Sequence, residues 1–493
     1  MSASAVIGVS IYLVGAFLLA VAVVFAMGLA LQTENRYGQW LLPSTLPVIG
    51  IGIATSTLLS GRNLALADIS AAAVNLTSDG FGQGAATWPL RFATLYILAA
   101  CSALLLAYLF RGGARLMHGR ALFVAFAIFF ATNVVIPALL GSKPTFVLNH
   151  YYPIVLFAAA YATRDHSSEA LVRIAKVTML LLLIGSMAAT VISPSLVLQK
   201  PYTHGLIPGL QIRLWGLASH ANSIGPLALL YLLLAVHQPF QSRWVQRTGI
   251  AIALAVLVLA QSKTAWVTLV LLFAVLFYYR GAATFEQTWR SGRTNYGAIA
   301  FALAVLVGAI GALVAVVALD LSNYWDRFAR STSGAQLFSL TGRSDIWDVA
   351  ITVWQQNPVF GYGPKLWDPE FRRSIGMSFA FSAHNQLLQS LASAGTVGVI
   401  GLVIYLGAVI RYSFLLAGKT LGLSVVLGLF LVLRCMTETP LTTGTLFNVD
   451  VLTHLVVFGF LVRERLPQAV RRPTSEEPAG RSTLANRSVS ALT

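Results

Sequence analysis

A long polar and aromatic segment meets an apolar run in residues 341–411, TGRSDIWDVAITVWQQNPVFGYGPKLWDPEFRRSIGMSFAFSAHNQLLQSLASAGTVGVIGLVIYLGAVIR. The apolar run, 393–410, approaches the length of about 20 residues that a helix needs to cross the hydrocarbon core of a bilayer. The polar segment before it carries Arg343 and His384. A polar segment of this length between two apolar spans is where an integral membrane enzyme is expected to hold its active site.

The composition of the whole chain points to the membrane. With 57% hydrophobic and 10% charged residues, the chain is too apolar for a soluble fold of its length. Apolar runs of spanning length recur throughout, which predicts an all-α, polytopic transmembrane bundle in contact with membrane lipid. The net charge of +16 is better explained by basic cytoplasmic loops than by a nucleic-acid partner, and we expect none.

The apolar runs predict thirteen candidate spans, so the bundle has about 12–13. They lie near 4–31, 40–60, 91–110, 121–140, 146–162, 171–192, 224–239, 247–262, 264–280, 298–320, 393–410, 421–441 and 446–462. Basic residues fall in alternate connections, which therefore face the cytoplasm. The other connections then face outward, and an odd number of spans places the amino terminus outside. They are 61–90, 141–145, 193–223, 321–392 and 442–445.

Three regions follow from this topology. Residues 1–192 are amino-terminal transmembrane helices, and 193–463 form a core with outer loops 193–223 and 321–392. The tail, 464–493, is rich in Ser, Pro and charge and is expected to be disordered in the cytoplasm. Cys101 and Cys435 lie inside apolar runs, so no disulfide framework is expected.

Within 341–358, apolar side chains recur at three- and four-residue spacing and predict an amphipathic helix. Thr341 or Ser344 is expected to cap its start, and Asn357-Pro358 to end it. Two tryptophans on the apolar face favour a position at the membrane–water boundary. That face consists of Ile346, Trp347, Ala350, Val353 and Trp354.

Arg343 lies at the amino end of this helix. Backbone N–H groups and the helix dipole favour an anion there, and a guanidinium adds a bidentate partner for phosphate. An arginine at this position is equally suited to anchor the helix to lipid headgroups. The residues alone leave these two interpretations even.

His384 lies in SAHNQLLQ, where the chain turns back into an apolar helix. If Ser382 caps that helix, the imidazole occupies the first turn, where the dipole disfavours its charged form. A neutral ring is what a general base requires. The alternative, which the residues alone favour, is a histidine that satisfies a helix end or lies at the interface. Asn385 beside it is equally ambiguous.

The loop 193–223 carries Arg213, His220 and Asn222 just before a span. Arg213 is either a second phosphate ligand or an interfacial anchor, and anchors are common. Residues 247–280 are expected to form two short helices broken at Ser262-Lys263, because basic residues flank both ends. Lys263, at that break, is expected to face a polar cavity.

Arg434 lies deep in an apolar run with Glu438 one turn later, so the two are expected to pair. A charge at this depth indicates function by default, and a structural ion pair is the competing interpretation. The sequence has no Walker loop, no nucleotide-binding glycine pattern and no carboxylate pair at metal-ligand spacing. We therefore expect neither a nucleotide cofactor nor a metal.

Three short motifs occur in order in the predicted outer loops, and a Ser-basic turn, Ser262-Lys263, lies between two spans. The motifs are Arg213-Leu-Trp-Gly-Leu217, which fits an R-x3-L pattern; Gly342-Arg343 followed by Trp347 and Asn357-Pro-Val-Phe-Gly-Tyr-Gly363; and His384-Asn385 with Gly395, an H-x10-G pattern. Together, over about residues 205–410, they resemble the O-antigen ligase and O-antigen polymerase superfamily of bacterial envelope enzymes. Thirteen spans depart from the even number, with both ends inside, that is usual for the ligases.

The resemblance implies a metal-independent glycosyltransferase of the bacterial inner membrane with its active site facing the periplasm. Its donor is a glycan on undecaprenyl diphosphate, and its acceptor is lipid A–core or another glycan. In this interpretation Arg213 and Arg343 supply fixed positive charge to the departing diphosphate. His384 is the base for the acceptor hydroxyl. Residues expected to support them are Lys263, Asn385, Arg434 and Glu438.

Other functions stay open at this point. The ligase interpretation is slightly favoured over an O-antigen or exopolysaccharide polymerase, because both short patterns occur at the right spacing. A polysaccharide-related transporter would use Lys263, Arg434 and Glu438 as a polar pathway. The missing inverted repeat and the large outer loop argue against it. A non-catalytic envelope scaffold is the remaining alternative.

Overall fold

The computed structural model describes residues 38–65, 87–110, 118–202, 207, 209–291, 343–441 and 443–465, with four isolated positions before residue 30. These parts are almost entirely helical, which confirms the predicted all-α class. Two very short strands, Leu198–Gln199 (β1) and Arg213–Leu214 (β2), pair antiparallel with Leu198 opposite Leu214. Thr341, Gly342 and most of the predicted tail lie outside the described residues.

Helices of eleven residues or more in the described ranges are numbered here in chain order. They are α1 Gly38–Leu59, α2 Trp88–Phe110, α3 Arg120–Leu140, α4 Tyr152–Ala162, α5 Ser168–Ile192, α6 Ala221–His237, α7 Arg243–Leu259, α8 Lys263–Ser291, α9 Arg343–Gln356, α10 Gln386–Leu415, α11 Leu423–Thr437 and α12 Val449–Arg463. Helix α3 continues through a π-helical turn at Ala131–Val135.

Six of these helices are long and apolar enough to cross a membrane, so the chain is a multi-pass membrane protein. They are Trp40–Leu59, Trp88–Phe110, Arg120–Leu140, Ser168–Ile192, Lys263–Ala282 and Gln386–Leu415. Eleven of the thirteen predicted spans coincide with one of the numbered helices. The other two, 4–31 and 298–320, lie outside the described residues apart from the isolated positions.

Two predicted spans have different bounds in the structure. The span expected at 146–162 becomes helical only at Tyr152, after a 3-10 turn at Leu148–Tyr151. Pro153 explains this start. Proline fits the first turn of a helix, but it has no backbone N–H to bond to a preceding turn, so the helix does not begin earlier. The span expected at 393–410 begins earlier, at Gln386, because the side chain of Asn385 caps it there.

The predicted break between residues 247 and 280 is confirmed. Helix α7 ends at Leu259 and α8 begins at Lys263. Gln261 lies between them with a left-handed φ of 46°. Its side-chain amide donates to the carbonyls of Leu210 and Ile212. The turn is thereby fastened to the loop that carries Arg213.

Helices α6 and α12 form the centre of the bundle. Every residue of α12 from Val451 to Arg463 is buried, as is every residue of α6 from Ser223 to Ala235. A helix that is apolar and buried on all sides must be surrounded by other helices. Helix α12 packs against α4, α5, α6 and α11. Cys101 and Cys435 are buried and free of disulfides.

Helix α10 is interrupted at Gly395, and the turn 357–363 fills the interruption. The N–H groups of Tyr362 and Gly363 donate to the carbonyls of Ala392 and Ser393, 2.9 Å each. Directly after the break, Thr396 N–H donates to the Pro358 carbonyl at 2.8 Å. Gly395 has φ 65°, and a Cβ there would overlap the Val359 carbonyl. The last position of the H-x10-G pattern is therefore glycine for a steric reason.

Helix α9 lies over this region and buries its apolar face against protein. Ile346, Ala350 and Val353 pack with the segment 366–392 in a second small core. The indole N–H of Trp347 donates to the Ala383 carbonyl at 2.9 Å. The helix itself is confirmed. Its apolar face covers a neighbouring segment of the chain, and its position at the membrane–water boundary stays a prediction.

Candidate functional site

A single carboxylate, Glu438, lies at the centre of the polar cluster at one end of the bundle. Helix α11 ends at Thr437, and Glu438 follows in an extended conformation that turns its side chain away from the helix. Oε1 accepts from Asn222 Nδ2 at 2.8 Å and from Arg343 Nη2 at 2.9 Å. Oε2 accepts from His384 Nδ1 at 2.8 Å. Residues from three distant parts of the sequence therefore meet on one side chain.

The charge state of Glu438 follows from these partners. Burial alone would raise the pKa of this carboxyl group, since the charged form loses its hydration. The His384 imidazole and the Arg343 guanidinium outweigh burial and hold the pKa of Glu438 well below its usual value. The Glu438 carboxylate therefore favours its ionised form and provides a negative charge at the cluster.

His384 precedes α10 instead of belonging to its first turn. Asn385 is the N-cap, its side chain accepting from Leu388 N–H at 3.1 Å. The predicted cap, Ser382, accepts from the backbone N–H of His384 at 3.3 Å instead. His384 itself has a left-handed φ of 47°. The expected effect of the helix dipole on the ring therefore does not apply, and Glu438 takes the place of that dipole as the group controlling the imidazole.

The contact with Glu438 determines which nitrogen of the neutral His384 ring carries the proton. Because an ionised carboxylate only accepts, Nδ1 must carry the proton. In the neutral ring Nε2 then has a free lone pair. A histidine with Nδ1–H held by a carboxylate is the arrangement in which Nε2 acts as a general base.

Arg343 begins α9, as predicted, and some of the N–H donors of its guanidinium form hydrogen bonds within the protein. Nη1 donates to the Thr437 carbonyl at 2.9 Å, and Nη2 donates to Glu438. Its side chain retains 15% exposure. Since a guanidinium has five N–H donors, donors remain for an anionic group at the cluster.

Arg213 lies on β2 and reaches the same cluster through Asn222. Nη2 donates to Asn222 Oδ1 at 2.7 Å, and Nε donates to the Ala260 carbonyl at 3.2 Å. The guanidinium lies 5.0 Å from the ring centre of Tyr202. The amide of Asn222 thus connects Arg213 to Glu438. The two arginines and the histidine predicted as site residues come together in the structure.

Arg62 holds the loop that carries Arg213 in place. Its guanidinium donates to the carbonyls of Leu196 at 2.6 Å and Ala218 at 2.7 Å, and to that of Gly216. It also lies 5.7 Å from the ring centre of Trp215. Burial lowers the pKa of Arg62 to about 10, so its side chain stays charged at neutral pH. One buried cation therefore ties both ends of the loop to the end of α1.

The predicted pair of Arg434 and Glu438 is wrong. Arg434 binds Asp450 instead, with Nη1 2.7 Å from Oδ1. The reason is that α11 ends between Arg434 and Glu438, so helical spacing no longer applies to Glu438. Glu438 faces Arg343 and His384, while Arg434 faces α12. The two ion pairs lie side by side, and Arg434 Nη2 also approaches the Asn222 carbonyl at 3.5 Å.

Lys263 and Asn385 lie at the edge of the cluster. Lys263 begins α8 and, among the described residues, has no hydrogen bond or ion pair. A small pocket next to Glu438 is lined by Thr264, Ala265 and Thr268, which follow Lys263 on α8, and Lys263 itself does not line it. Asn385 caps α10 and donates to the Met436 carbonyl at 3.1 Å.

Some residues of the site were missed by sequence reasoning, although signals for them exist. Asp450 is the one acidic residue in the apolar run 446–462, and an intramembrane charge calls for a partner. Arg62 is a basic residue in a connection predicted to face outward, against the positive-inside rule. Asn222 was noted without a role. In the described ranges, no three His, Cys, Asp or Glu side chains are placed to hold a metal ion.

Comparison with known proteins bears on this arrangement. Residues 248–406 match the family model described as O-antigen ligase. The match contains Arg343 and His384, begins after Arg213 and ends before Glu438. A comparison with curated proteins finds no match. The match at residues 248–406 supports the resemblance to the O-antigen ligase superfamily of membrane enzymes that the motifs predicted.

Proposed function

We propose that this protein is a membrane glycosyltransferase of the O-antigen ligase type. It moves a glycan from undecaprenyl diphosphate to an acceptor hydroxyl on the periplasmic side of the bacterial inner membrane. The observation that carries the proposal is the shared carboxylate: Glu438 holds His384 through Nδ1 and also binds Arg343. A base and a cation are thereby fixed at one point at the end of a membrane bundle.

The base in this reaction is His384. Its Nε2 takes the proton of the acceptor hydroxyl while that oxygen attacks the anomeric carbon of the donor sugar. A new bond forms between the acceptor oxygen and the anomeric carbon, and the bond from that carbon to the phosphate oxygen breaks. The diphosphate leaves with the electron pair. Glu438 stabilises the imidazolium that results and keeps the ring in the tautomer that starts the next cycle.

The cations in this reaction are Arg343 and Arg213. As the carbon–oxygen bond breaks, negative charge grows on the departing diphosphate, and preorganised guanidinium groups stabilise it. Both side chains are anchored by hydrogen bonds to the protein, which reduces the reorganisation needed during the reaction. A leaving group of this kind needs positive charge more than it needs a proton, so these residues suffice without a separate acid.

The acceptor distinguishes two versions of the proposal. A ligase transfers the glycan to lipid A–core, whereas a polymerase transfers it to another carrier-linked repeat. Both reactions use the same base and the same leaving group. We favour the ligase on the matching family description. The experiment below identifies the acceptor.

The test is deletion of the gene followed by analysis of surface glycan and carrier-linked intermediates. Complementation with the wild-type gene should restore surface glycan, and His384→Ala, Arg343→Ala and Arg213→Ala should not. Carrier-linked polymer that accumulates in the deletion strain would indicate a ligase, and accumulated single repeats would indicate a polymerase. Wild-type glycan from all three variants would refute the catalytic proposal and leave a transporter or a scaffold.

A matched control separates catalysis from folding. Arg373 is exposed, and its Nε donates to the Pro369 carbonyl at 3.1 Å. Arg373→Ala should therefore support normal glycan at the same protein level. Comparable abundance of all variants in isolated membranes is required before a loss of glycan is read as a loss of activity.

A further inference from the structure

A second histidine, His220, lies beside the cluster and has no role in the mechanism above. It is the N-cap of α6, and its Nδ1 accepts from the backbone N–H of Asn222 at 3.1 Å. Its ring packs on Trp215 with the two ring centres 4.4 Å apart. Because α6 and Trp215 both constrain it, the imidazole has one defined orientation.

The capping contact determines the tautomer of His220. A backbone N–H only donates, so Nδ1 must be the unprotonated nitrogen. The proton of the neutral ring is then on Nε2, which is the opposite of His384. Burial, together with the nearby Arg213 guanidinium, lowers the pKa of His220 well below its usual value and supports the neutral ring. The cluster thus contains two histidines of opposite tautomer.

The Nε2–H of His220 is available to a ligand. No described residue hydrogen-bonds to Nε2. The side chain of His220 is half-buried, and Nε2 is not fully enclosed by protein. A polar N–H that is oriented by its neighbours and left unpaired is suited to bind a group that enters the site.

The position of His220 in the cluster indicates which group that is. Asn222, two residues on, binds Arg213 through Oδ1 and Glu438 Oε1 through Nδ2. His384 is attached to the other carboxylate oxygen, Oε2. Among the charged groups near His220, Arg213 acts on its ring most strongly, so we group His220 with the arginine side of Glu438. In the proposed reaction that side receives the diphosphate, and the His384 side receives the acceptor hydroxyl.

Building on the proposed function, we propose that His220 is a catalytic residue whose Nε2–H donates a hydrogen bond to the diphosphate of the lipid-linked donor. The bond strengthens as negative charge grows on the leaving oxygen atoms. No proton is transferred in this step. His220 therefore acts with Arg213 and Arg343 as a neutral donor, while His384 alone takes the proton of the acceptor.

The test compares two substitutions of His220. One keeps the helix-capping function of Nδ1, and the other keeps a hydrogen-bond donor near the position of Nε2. In His220→Asn, the side-chain oxygen replaces Nδ1 as the helix cap, but nothing replaces Nε2–H. In His220→Gln, the longer amide places an N–H near the position of Nε2 and caps poorly. A role in catalysis requires Gln to be more active than Asn, whereas a purely structural cap requires the reverse order.

The assay uses the full-length protein and membranes from the deletion strain, which supply both carrier-linked donor and acceptor. The initial rate of glycan transfer is measured at saturating membrane concentration. Removal of one donor to developing charge costs roughly 10²–10³-fold in turnover, so we expect a loss of that order in His220→Asn. His220→Gln should remain within about tenfold of wild type, since it retains a donor.

Controls separate this inference from the proposed function. The melting temperature of each variant is measured in detergent, and rates are compared below both melting temperatures. If His384→Asn transfers glycan at the wild-type rate, the proposed function fails. If His384→Asn is inactive while His220→Asn is as active as His220→Gln or more so, only the role of His220 is refuted. Equal loss in both His220 variants refutes that role as well.

Discussion

Glu438 and His384 are 54 residues apart in the chain, and their side chains are joined by a 2.8 Å hydrogen bond. The bond leaves His384 Nε2 free to accept a proton and links it, through the same carboxylate, to Arg343. A base and a cation that share one counter-charge are coupled, because removing the carboxylate changes the charge balance of both. The effect of a substitution at Glu438 should therefore exceed that of losing one hydrogen bond.

The first prediction concerns that carboxylate. Glu438→Gln keeps the size of the side chain and removes its charge, so the imidazolium formed during transfer loses its counter-charge. We expect turnover to fall by about 10²-fold or more, the range in which a positioned base contributes. The initial rate of glycan transfer in membranes of the deletion strain measures it.

The matched control removes a carboxylate charge far from the cluster. Glu464→Gln is the control, because Glu464 binds Ser168 and Lys419 at the opposite end of the bundle. An unchanged rate of transfer in Glu438→Gln would contradict the coupling.

The second prediction concerns the guanidinium of Arg343 and its several N–H donors. Arg343→Lys keeps the positive charge, but one ammonium cannot bind the Thr437 carbonyl, the Glu438 carboxylate and a phosphate with the same geometry. We expect turnover to fall by about tenfold, and by more in Arg343→Ala, since the charge is then lost too. Arg373→Lys, on the exposed arginine, should leave the rate unchanged. Equal activity of Arg343→Lys and wild type would show that charge alone is sufficient.

Most of the helices were predictable from the sequence because a bilayer imposes one strong rule. A backbone in hydrocarbon must satisfy its own hydrogen bonds, so each apolar run of sufficient length becomes a helix. Eleven predicted spans have their helix in the structure, and the break before Lys263 follows from the basic residues on both sides. Bounds were less predictable. Asn385 begins α10 well before its apolar run, since a cap depends on side-chain geometry and not on hydropathy.

Partners of the site residues were not predictable in the same way. The expected pair of Arg434 and Glu438 assumed that α11 continues past Thr437, and its end there redirects both side chains. The contact between Asn222 and Glu438 joins residues 216 positions apart. One sequence carries no periodic signal for such a contact. Residue types and their order indicated the site, whereas tertiary packing determined which charge faces which.

The third prediction tests the interruption of α10. Gly395→Ala places a Cβ against the Val359 carbonyl at a left-handed φ of 65°. With ψ −164°, this backbone conformation is almost restricted to glycine, and it costs about 1–3 kcal/mol for another residue. The turn 357–363 must then move, and the first part of α10, which directly follows His384, moves with it. We expect a lower melting temperature and reduced glycan transfer.

Gly407→Ala is the matched control, since Gly407 is in the same helix and a Cβ added there would have nothing within 4 Å. Similar melting of the two variants would contradict this account.

The last prediction concerns the buried ion pair of Arg434 and Asp450. Arg434 is 4% exposed, so Asp450→Asn leaves a guanidinium in the bundle without its counter-charge. Breaking one side of a buried pair costs about 3–5 kcal/mol, and thermal melting in detergent should show a clear loss. Replacing both residues, as Arg434→Met with Asp450→Leu, should restore most of the stability, because no buried charge then remains.

Glu464→Gln is the control for a surface ion pair. Its partner Lys419 is 44% exposed, and such pairs contribute under about 1 kcal/mol, so the melting temperature should change little. If the double variant melts like Asp450→Asn, the pair contributes through specific contacts with Asn222 and α12 in addition to charge neutralisation.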